Sequence, residues 1–198
     1  MLQTKIAVLQ SHPIQYFSPL WAKLSRNRRI AVKVYYCSDS SIKGILDKQF
    51  GQNVKWDIPL LDGYEYQFLK NYSPRPSVTT KFWGLMNWGI FNRLKKDRPD
   101  IIIIHGWAYF TNIIAFFSAK YLGIKVWLRT ESPLNQELKK ARWKRVLKRI
   151  FLQHIFFHWV NRFLYIGEQN RRFYRFYNVT DEKMIFSPYC VDNERFKN

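Results

Sequence analysis

The sequence predicts an α/β fold, a single Rossmann-like domain built on a doubly wound parallel sheet. Short apolar runs alternate with segments of helical spacing along the whole chain, and this alternation favours right-handed crossovers between parallel strands. The run Ile101-Ile102-Ile103-Ile104 is apolar at every position, which is typical of a strand covered on both faces. A chain of 198 residues also has the size of one domain.

In the N-terminal half, apolar runs predict strands at residues 6–9 and 31–36, with a helix at 19–24 between them. Residues 38–76 have no sustained period, so we predict a long irregular insertion with one short strand near 64–69. Residues 82–96 have helical spacing, and Pro99 stops the helix that they predict.

In the C-terminal half, strands are predicted at 101–104, 125–129, 162–166 and 184–187. Helices are predicted at 110–122, 138–159 and 169–176, and Gly123 is placed to cap the first of them.

The charge of the chain predicts an anionic partner. Thirty-three Lys and Arg against 14 Asp and Glu give a formal net charge of +19, which suits a nucleic acid, an acidic membrane or a phosphate-bearing substrate. A hydrophobic content of 47% argues against a disordered protein.

Cysteine usage and hydropathy predict a cytoplasmic protein. Cys37 and Cys190 are the two cysteines, too few for a disulfide framework or a paired-cysteine metal site. The apolar run that follows the N-terminus is too short for a signal peptide, and no stretch reaches the roughly 18 apolar residues of a spanning helix. We therefore expect a protein that is neither secreted nor membrane-spanning and that needs no metal.

Polar residues follow four of the predicted strands, where ligands bind in a parallel sheet. These candidates are His12, Gln15, His105, Arg129, Glu131 and Asn170. The first turn has Gln10-Ser11-His12-Pro13 in place of the glycines that approach a pyrophosphate, so NAD and FAD binding is disfavoured. The chain also lacks a GK[ST] phosphate loop.

Six segments, spread over nearly the whole chain, carry a family resemblance: KIAVLQSHPIQYFSPLW, VKWDIPLLDGYEY, RPDIIIIHGW, LRTES, FLYIGEQNRRFY and SPYCVDNERF. In this order they resemble the N-terminal half of bacterial GT-B glycosyltransferases of the retaining, glycogen-synthase-like group. The last segment resembles the crossover between the two GT-B domains. The resemblance implies an acceptor-binding domain at residues 1–188 and the start of the crossover at 189–198, with the donor-binding domain absent from this chain.

The resemblance also implies roles for the candidates. His105 would face the sugar or acceptor as the catalytic group, its neutral imidazole orienting a hydroxyl or accepting a proton. His12 and Gln15 would face the acceptor or the donor phosphates. Purely structural roles remain open for all three, as a strand-end cap at His105 and a turn around Pro13.

Two further strand ends offer acceptor-binding groups. Glu131 suits sugar hydroxyls, and Arg129 suits an anionic group, although the two side chains could instead form an ion pair. Asn170 and Glu168 could bind substrate, but we favour the interpretation that they are a helix N-terminal cap and its neighbour. The family's nucleotide-sugar site belongs to the other domain, so no cofactor is expected here.

The predicted helix 138–159 is basic and amphipathic. One interpretation is that its apolar stripe packs on the sheet while its charges face water. The other is a peripheral contact with an anionic membrane, made by the basic side and the end of the helix. The membrane candidates are Arg142, Lys144, Arg145, Lys148, Arg149 and Trp159.

Nucleic-acid binding is a competing use of the positive charge, because arginines and aromatic residues alternate through residues 171–177. We disfavour it, since Phe173, Phe176 and Tyr177 have the spacing of a core-facing helical stripe and no nucleic-acid motif is present.

The sequence therefore predicts the acceptor-side half of a glycosyltransferase acting on a lipid-linked or polysaccharide acceptor at the inner face of the plasma membrane. By itself such a half would be inactive, and its donor half would be missing or on a separate chain. The alternative is a non-catalytic module that binds acceptor or membrane.

Overall fold

The structure is a computed structural model, and it describes residues 3–42, 45–47, 52–54, 59–79 and 82–189. Most of the predicted crossover, including Cys190, lies outside the described residues. The strands within the described ranges are β1 (Thr4–Gln10), β2 (Ile30–Tyr36), β3 (Ile45–Asp47), β4 (Gln52–Val54), β5 (Glu65–Phe68), β6 (Ile101–His105), β7 (Lys125–Arg129), β8 (Arg162–Tyr165) and β9 (Met184–Phe186). The α-helices there are α1 (Ser18–Ser25), α2 (Ile90–Asp97), α3 (Phe110–Tyr121), α4 (Leu134–Leu138), α5 (Arg142–Phe151) and α6 (Glu168–Phe176).

Seven parallel strands form one sheet in the order β5-β2-β1-β6-β7-β8-β9. The strand order reverses between β1 and β6, because the chain winds outward from β1 through β2 to β5 and then outward from β6 to β9. A crevice opens at such a reversal, beyond the carboxyl ends of the two strands. The predicted fold class, a Rossmann-like α/β domain, is confirmed.

Successive side chains of each strand enter opposite cores, because strand side chains alternate between the faces of a sheet. On one face, Val8, Val34 and Ile103 pack with Phe17 and Trp21 from the region of α1. On the other face, a larger core takes its side chains from the strands and from α2, α3 and α6. Because Ile102, Ile103 and Ile104 are all buried, the prediction that this strand is covered on both faces is confirmed.

The helix predicted at residues 82–96 is wrong in its first half. The structure has a 3-10 turn at Phe82–Gly84 and an α-helix that begins at Ile90. Between them, the buried Asn87 donates hydrogen bonds from its side chain to the carbonyls of Cys37 and Leu69, each at 3.0 Å. These bonds tie the chain across the end of the sheet and prevent one continuous helix.

The helix predicted at residues 138–159 is also divided. Helix α4 ends at Leu138, α5 begins at Arg142, and the chain continues through a π-helical turn at Leu152–Phe156 and a 3-10 turn at Phe157–Trp159. The interpretation that the apolar stripe packs on the sheet is wrong for α5, which has no buried residue. Leu152, Phe156 and Phe157, which follow α5, enter the core instead.

The region predicted as an irregular insertion contains more strand than expected. Within it, β3 and β4 pair antiparallel, and β5 joins the edge of the main sheet parallel to β2. A single short strand was predicted there, close to the position of β5.

Candidate functional site

An open cleft of about 570 Å³ lies at the reversal of the strand order. It is bordered by the ends of β1, β6 and β7 and by the segments that follow them, so that Gln10, His105 and Arg129 all lie in its lining. We call it the strand-end cleft. Its position follows from topology, because the carboxyl ends of β1 and β6 diverge there and leave room for a ligand.

His105 is the last residue of β6 and is held from both sides. Its ring lies edge-on to Phe17, with the ring centroids 4.8 Å apart, and it also makes an edge contact with Trp21 at 6.1 Å. The Nδ2 atom of the buried Asn112 donates to the carbonyls of His105, at 2.7 Å, and of Gly106, at 3.0 Å. Gly106 has a φ of 78°, which glycine adopts without strain.

The pKa of His105 is lowered to about 3 by burial, with a smaller contribution from the positive charge of Arg129. The imidazole is therefore neutral at pH 7 and has both a donor and an acceptor nitrogen. Its Nε2 atom is buried and has no hydrogen-bond partner among the described residues. A neutral ring with an unused nitrogen is suited to bind a hydroxyl group.

Gln10 is the last residue of β1 and is 2% exposed. Its Oε1 atom accepts a hydrogen bond from the indole Nε1 of Trp21 at 2.9 Å. An indole N–H can only donate, so this bond fixes which end of the amide is oxygen. The Nε2 atom of Gln10 is left with no partner among the described residues, although buried donors are usually paired.

Arg129 ends β7 and is 3% exposed. Its Nη1 donates to the carbonyl oxygen and to Oγ of Ser187, at 2.8 and 2.7 Å. The guanidinium also lies over the rings of Phe17 and Tyr189, 5.1 and 5.2 Å from their centroids. Arg129 thus joins the end of β7 to the segment that follows β9, and it places a positive charge beneath the cleft.

Glu131 stands at the mouth of the cleft, two residues after β7. Its Oε1 atom accepts a hydrogen bond from the hydroxyl of Tyr189. Partial burial raises the pKa of Glu131, and the charge of Arg129 opposes this effect. Tyr16, 38% exposed, packs edge-on against Tyr189 with centroids 5.0 Å apart. A carboxylate therefore lies beside exposed aromatic rings.

The far wall of the cleft is formed by Lys148 of α5 and by Trp107. The ammonium of Lys148 lies 5.4 Å from the centroid of Trp107 and 2.7 Å from a carboxylate oxygen of Glu137. Glu137 is 2% exposed and also accepts hydrogen bonds from Lys140 and Tyr177. Burial alone would raise the pKa of Glu137, but the bonds from these three partners lower it, so the carboxylate stays ionised.

The other predicted site residues lie outside this arrangement. His12 is half-buried, with Nδ1 hydrogen-bonded to Oγ of Ser11 at 2.9 Å, and burial lowers its pKa. Gln15 is also half-buried. Neither of the two lines the cleft.

Asn170 is 3% exposed and holds neighbouring backbone. Its Oδ1 accepts from the N–H of Ile166, at 3.2 Å, and its Nδ2 donates to the carbonyl of Ser132, at 3.1 Å. The helix cap favoured for Asn170 and Glu168 is wrong, because α6 begins at Glu168 and its N-cap position is Gly167, which has no side chain. Asn170 instead joins the segments that follow β7 and β8.

Gln10, Trp107 and Asn112 were not among the predicted site residues. Gln10 directly follows the strand predicted at residues 6–9 and ends the observed β1, so the strand-end rule could have included it. Asn112 holds the turn after β6 through hydrogen bonds to the carbonyls of His105 and Gly106. No sequence pattern predicts these bonds. Trp107 is the second residue after β6, and its place in the cleft wall depends on α5.

The membrane candidates are distributed over two sides of α5. Lys148 lines the cleft, whereas Arg142, Arg145 and Arg149 line a groove between α5 and α6. Lys144 is exposed. Trp159, 42% exposed, packs against Phe117 beyond the end of α5. Within the described part of the chain, none of the helices combines the length and the apolar character that a membrane crossing requires.

No family model matches the chain, and no curated protein matches it by sequence. Solved structures do match. HepE from Anabaena, in complex with UDP and glucose, superposes with a TM-score of 0.58 at 9% identity, covering 97% of this chain and 46% of HepE. UDP-N-acetylglucosamine 2-epimerase from Rickettsia bellii gives 0.57 at 13% identity, covering 96% and 45%.

The lipopolysaccharide outer core galactosyltransferase WaaB, in its apo form, gives a TM-score of 0.51 at 13% identity, covering 96% of this chain and 47% of WaaB. The chain thus spans about half the length of the solved structures that it matches. These are GT-B-fold proteins, and at such low identity the likeness concerns the fold alone. The chain has the Rossmann-like fold of one half of a GT-B protein.

Proposed function

We propose that the chain is the acceptor-side half of a glycosyltransferase that moves a sugar from a nucleotide-sugar to an acceptor. The observation that carries this proposal is the pair of unused nitrogen atoms at the strand-order reversal, Nε2 of Gln10 and Nε2 of His105. Both are buried in the lining of one cleft. Sugar hydroxyls both donate and accept hydrogen bonds, so one hydroxyl-bearing ligand would satisfy an amide donor and a neutral imidazole together.

In this proposal His105 orients an acceptor hydroxyl. A pKa of about 3 makes the ring a weak base at neutral pH, because proton transfer is most effective when the pKa of the base lies near the working pH. We therefore favour the orienting role over proton abstraction. Gln10 donates to the same ligand, and its amide needs no reorganisation because Trp21 already holds it.

Glu131, with its raised pKa, would bind further hydroxyls as a carboxylate acceptor. The rings of Tyr16 and Trp107 offer apolar surface in the same cleft. Arg129 and Lys148 make the cleft electropositive, which suits the phosphates of an activated sugar or of a lipid-linked acceptor. A supporting role is left for the residues that do not line the cleft. They would hold the segments around it in place, and they are His12, Gln15 and Asn170.

Transfer itself would require a donor-binding half that closes over the cleft, in a longer protein or on a second chain. The proposal assigns the nucleotide-sugar to that half and needs neither a metal nor a bound cofactor in this one. The similar structures support this class of reaction, since WaaB is a galactosyltransferase and HepE was solved with UDP and glucose. The proposal also includes retention of the anomeric configuration and a lipid-linked or polysaccharide acceptor.

Saturation-transfer NMR on the 198-residue chain tests the proposal directly. The probes are methyl glycosides of common hexoses and N-acetylhexosamines, and UDP-sugars are compared under the same conditions. We expect transfer to the ring protons of at least one glycoside and weaker transfer to the UDP-sugars. His105→Phe keeps an aromatic ring against Phe17 and removes both nitrogens, so it should abolish the signal.

Gln10→Glu is the second variant, because a carboxylate still accepts from Trp21 and has a negative charge in place of the amide donor. Lys95→Ser, at an exposed lysine of α2 that does not line the cleft, is the matched control. A glycoside signal that survives both cleft variants would contradict the proposal. Binding that depends on the cleft, but no sugar transfer when a donor half is supplied, would favour the alternative of a non-catalytic binding module.

A further inference from the structure

Helix α5 turns its apolar side away from the protein. Its apolar residues Trp143, Val146, Leu147 and Ile150 are between 51% and 63% exposed. At 100° per residue these four side chains occupy an arc of about 100° on one side of the helix. In most surface helices the apolar stripe faces the core and the charges face water, so this helix is inverted.

The cause of the inversion is the buried carboxylate of Glu137. Lys148, on the side of α5 opposite the apolar arc, points inward to Glu137, and its ammonium lies over the rings of Phe173 and Tyr177, 5.0 and 5.5 Å from their centroids. This contact fixes the rotation of the helix. The apolar arc must then face outward, at a cost in exposed apolar surface that an isolated domain would not be expected to carry.

Cations border the apolar arc on both edges. Lys144 lies on one edge, and Arg142 and Arg149 lie on the other. On that second edge, a groove of about 250 Å³ between α5 and α6 is lined by Arg142, Arg145, Val146, Arg149 and Phe176. No acidic side chain lines this groove, and the Nε atom of Arg145 within it is buried and has no hydrogen-bond partner among the described residues.

We infer that this face of α5 docks on a bilayer of anionic phospholipid. An apolar strip with cations on both edges matches the layering of a membrane surface, where acyl chains lie beneath phosphate headgroups. The three arginines of the groove would bind headgroup phosphate, and Trp143 and Leu147 would enter the interface. From Lys139 to Arg149 the chain has seven Lys or Arg and no acidic residue, which favours a negatively charged surface over a protein partner of mixed charge.

The docked helix would set the position of the strand-end cleft. Lys148 lines the cleft on one side of α5, and the apolar arc lies on the other side, so a single helix diameter of about 10 Å separates the cleft from the bilayer. None of the residues of the apolar arc lines the strand-end cleft. The inference therefore goes beyond the proposed function, and either can fail without the other.

Vesicle flotation with the 198-residue chain tests the inference. The probes are vesicles of phosphatidylglycerol and phosphatidylcholine in equal amounts, and vesicles of phosphatidylcholine alone. We expect binding to the first and not to the second. Trp143→Ser should weaken binding by about tenfold, and Arg142→Ser with Lys144→Ser by about fivefold for each removed cation. None of these side chains is buried, so folding should be unchanged, as a thermal melt will verify.

The matched controls remove an aromatic side chain and two cations from helices other than α5. Tyr121→Ser, at an aromatic side chain that is 82% exposed on α3, and Lys95→Ser with Lys96→Ser, at two exposed lysines of α2, should leave binding unchanged. Equal losses from the α2 lysine pair and the α5 cation pair would show attraction by net charge alone and would overturn the inference. So would unchanged binding of Trp143→Ser, or a dimer in solution that this substitution dissociates while vesicle binding stays the same.

Discussion

At the scale of single residues, the cleft depends on side chains whose hydrogen bonding is incomplete. Gln10 and His105 each keep a buried nitrogen with no partner in the described structure, whereas Arg129 and Asn170 use their polar atoms to join strand ends. The sequence placed His105, Arg129 and Glu131 at strand ends correctly. The sequence could not distinguish a side chain that faces the cleft from one that holds the backbone around it, because that difference depends on residues distant in sequence.

His105 should make the stability of the protein depend on pH. Its pKa is about 3 in the folded protein and about 6.5 in the unfolded chain, so between these values the unfolded chain binds more protons. The neutral His105 therefore contributes fully to the free energy of unfolding above pH 6.5. As the pH falls below this value the contribution is lost, and the loss reaches about 2 kcal/mol at pH 5. His105→Phe should remove this part of the loss.

Urea unfolding at pH 7 and pH 5, on the wild-type protein and on His105→Phe, measures the effect. The burial that lowers the pKa of His12 acts equally in both proteins and cancels in the difference. If both proteins lost the same stability between the two pH values, His105 would not be held neutral as described.

Glu137 lies on a short helix, but we expect its carboxylate to contribute substantially to the free energy of unfolding. Glu137→Gln leaves the ammonium of Lys148 beside the rings of Trp107 and Phe173 without its counter-ion. We expect a loss of about 2–3 kcal/mol, somewhat below that of a fully buried pair, because the side chain of Lys148 is 20% exposed.

Adding Lys148→Met to Glu137→Gln should recover part of that loss, since it removes the stranded charge. Chemical denaturation of the single and double variants provides the comparison. A double variant less stable than Glu137→Gln alone would show that the ion pair is not the source of the effect.

At the scale of elements, most strands could be predicted from apolar runs, but the orientation of α5 could not. Its helical period was evident in the sequence, and a hydrophobic stripe ordinarily identifies the buried side. Here the buried partner is a carboxylate contributed by α4, and the core contact is made by the π-helical and 3-10 turns that follow α5. Periodicity within one helix carries no information about such a partner.

Paired substitutions test this assignment of the inner and outer sides. Phe156 is fully buried and stacks on Phe116, with centroids 4.2 Å apart, so Phe156→Ala should cost about 3–5 kcal/mol. Ile150→Ser, on the exposed side of α5, should change the free energy of unfolding by no more than about 0.5 kcal/mol. A large loss from Ile150→Ser in urea unfolding would mean that the apolar arc is buried after all.

At the scale of the whole molecule, the fold could be predicted because the alternation of strands and helices leaves few topologies. The doubly wound parallel sheet was predicted, whereas the order of its seven strands and the reversal between β1 and β6 were not. The cleft at that reversal is a consequence of topology, and the docking face that we propose on α5 would give the molecule a second functional surface. A saccharide-binding cleft held close to an anionic bilayer is the arrangement that an acceptor anchored in the membrane would need.

A glycoside titration followed through the histidine ring nitrogens tests whether His105 binds a sugar in the strand-end cleft. The chain has four histidines, so ¹⁵N labelling of histidine gives a simple spectrum. His154 and His158 line a separate pocket of about 280 Å³ and serve as internal controls. We expect the ring nitrogens of His105 to shift on titration and those of His154 and His158 to stay in place. Gln10→Glu should weaken the response. Shifts confined to His154 and His158, or no shift at His105 with any glycoside, would contradict this expectation.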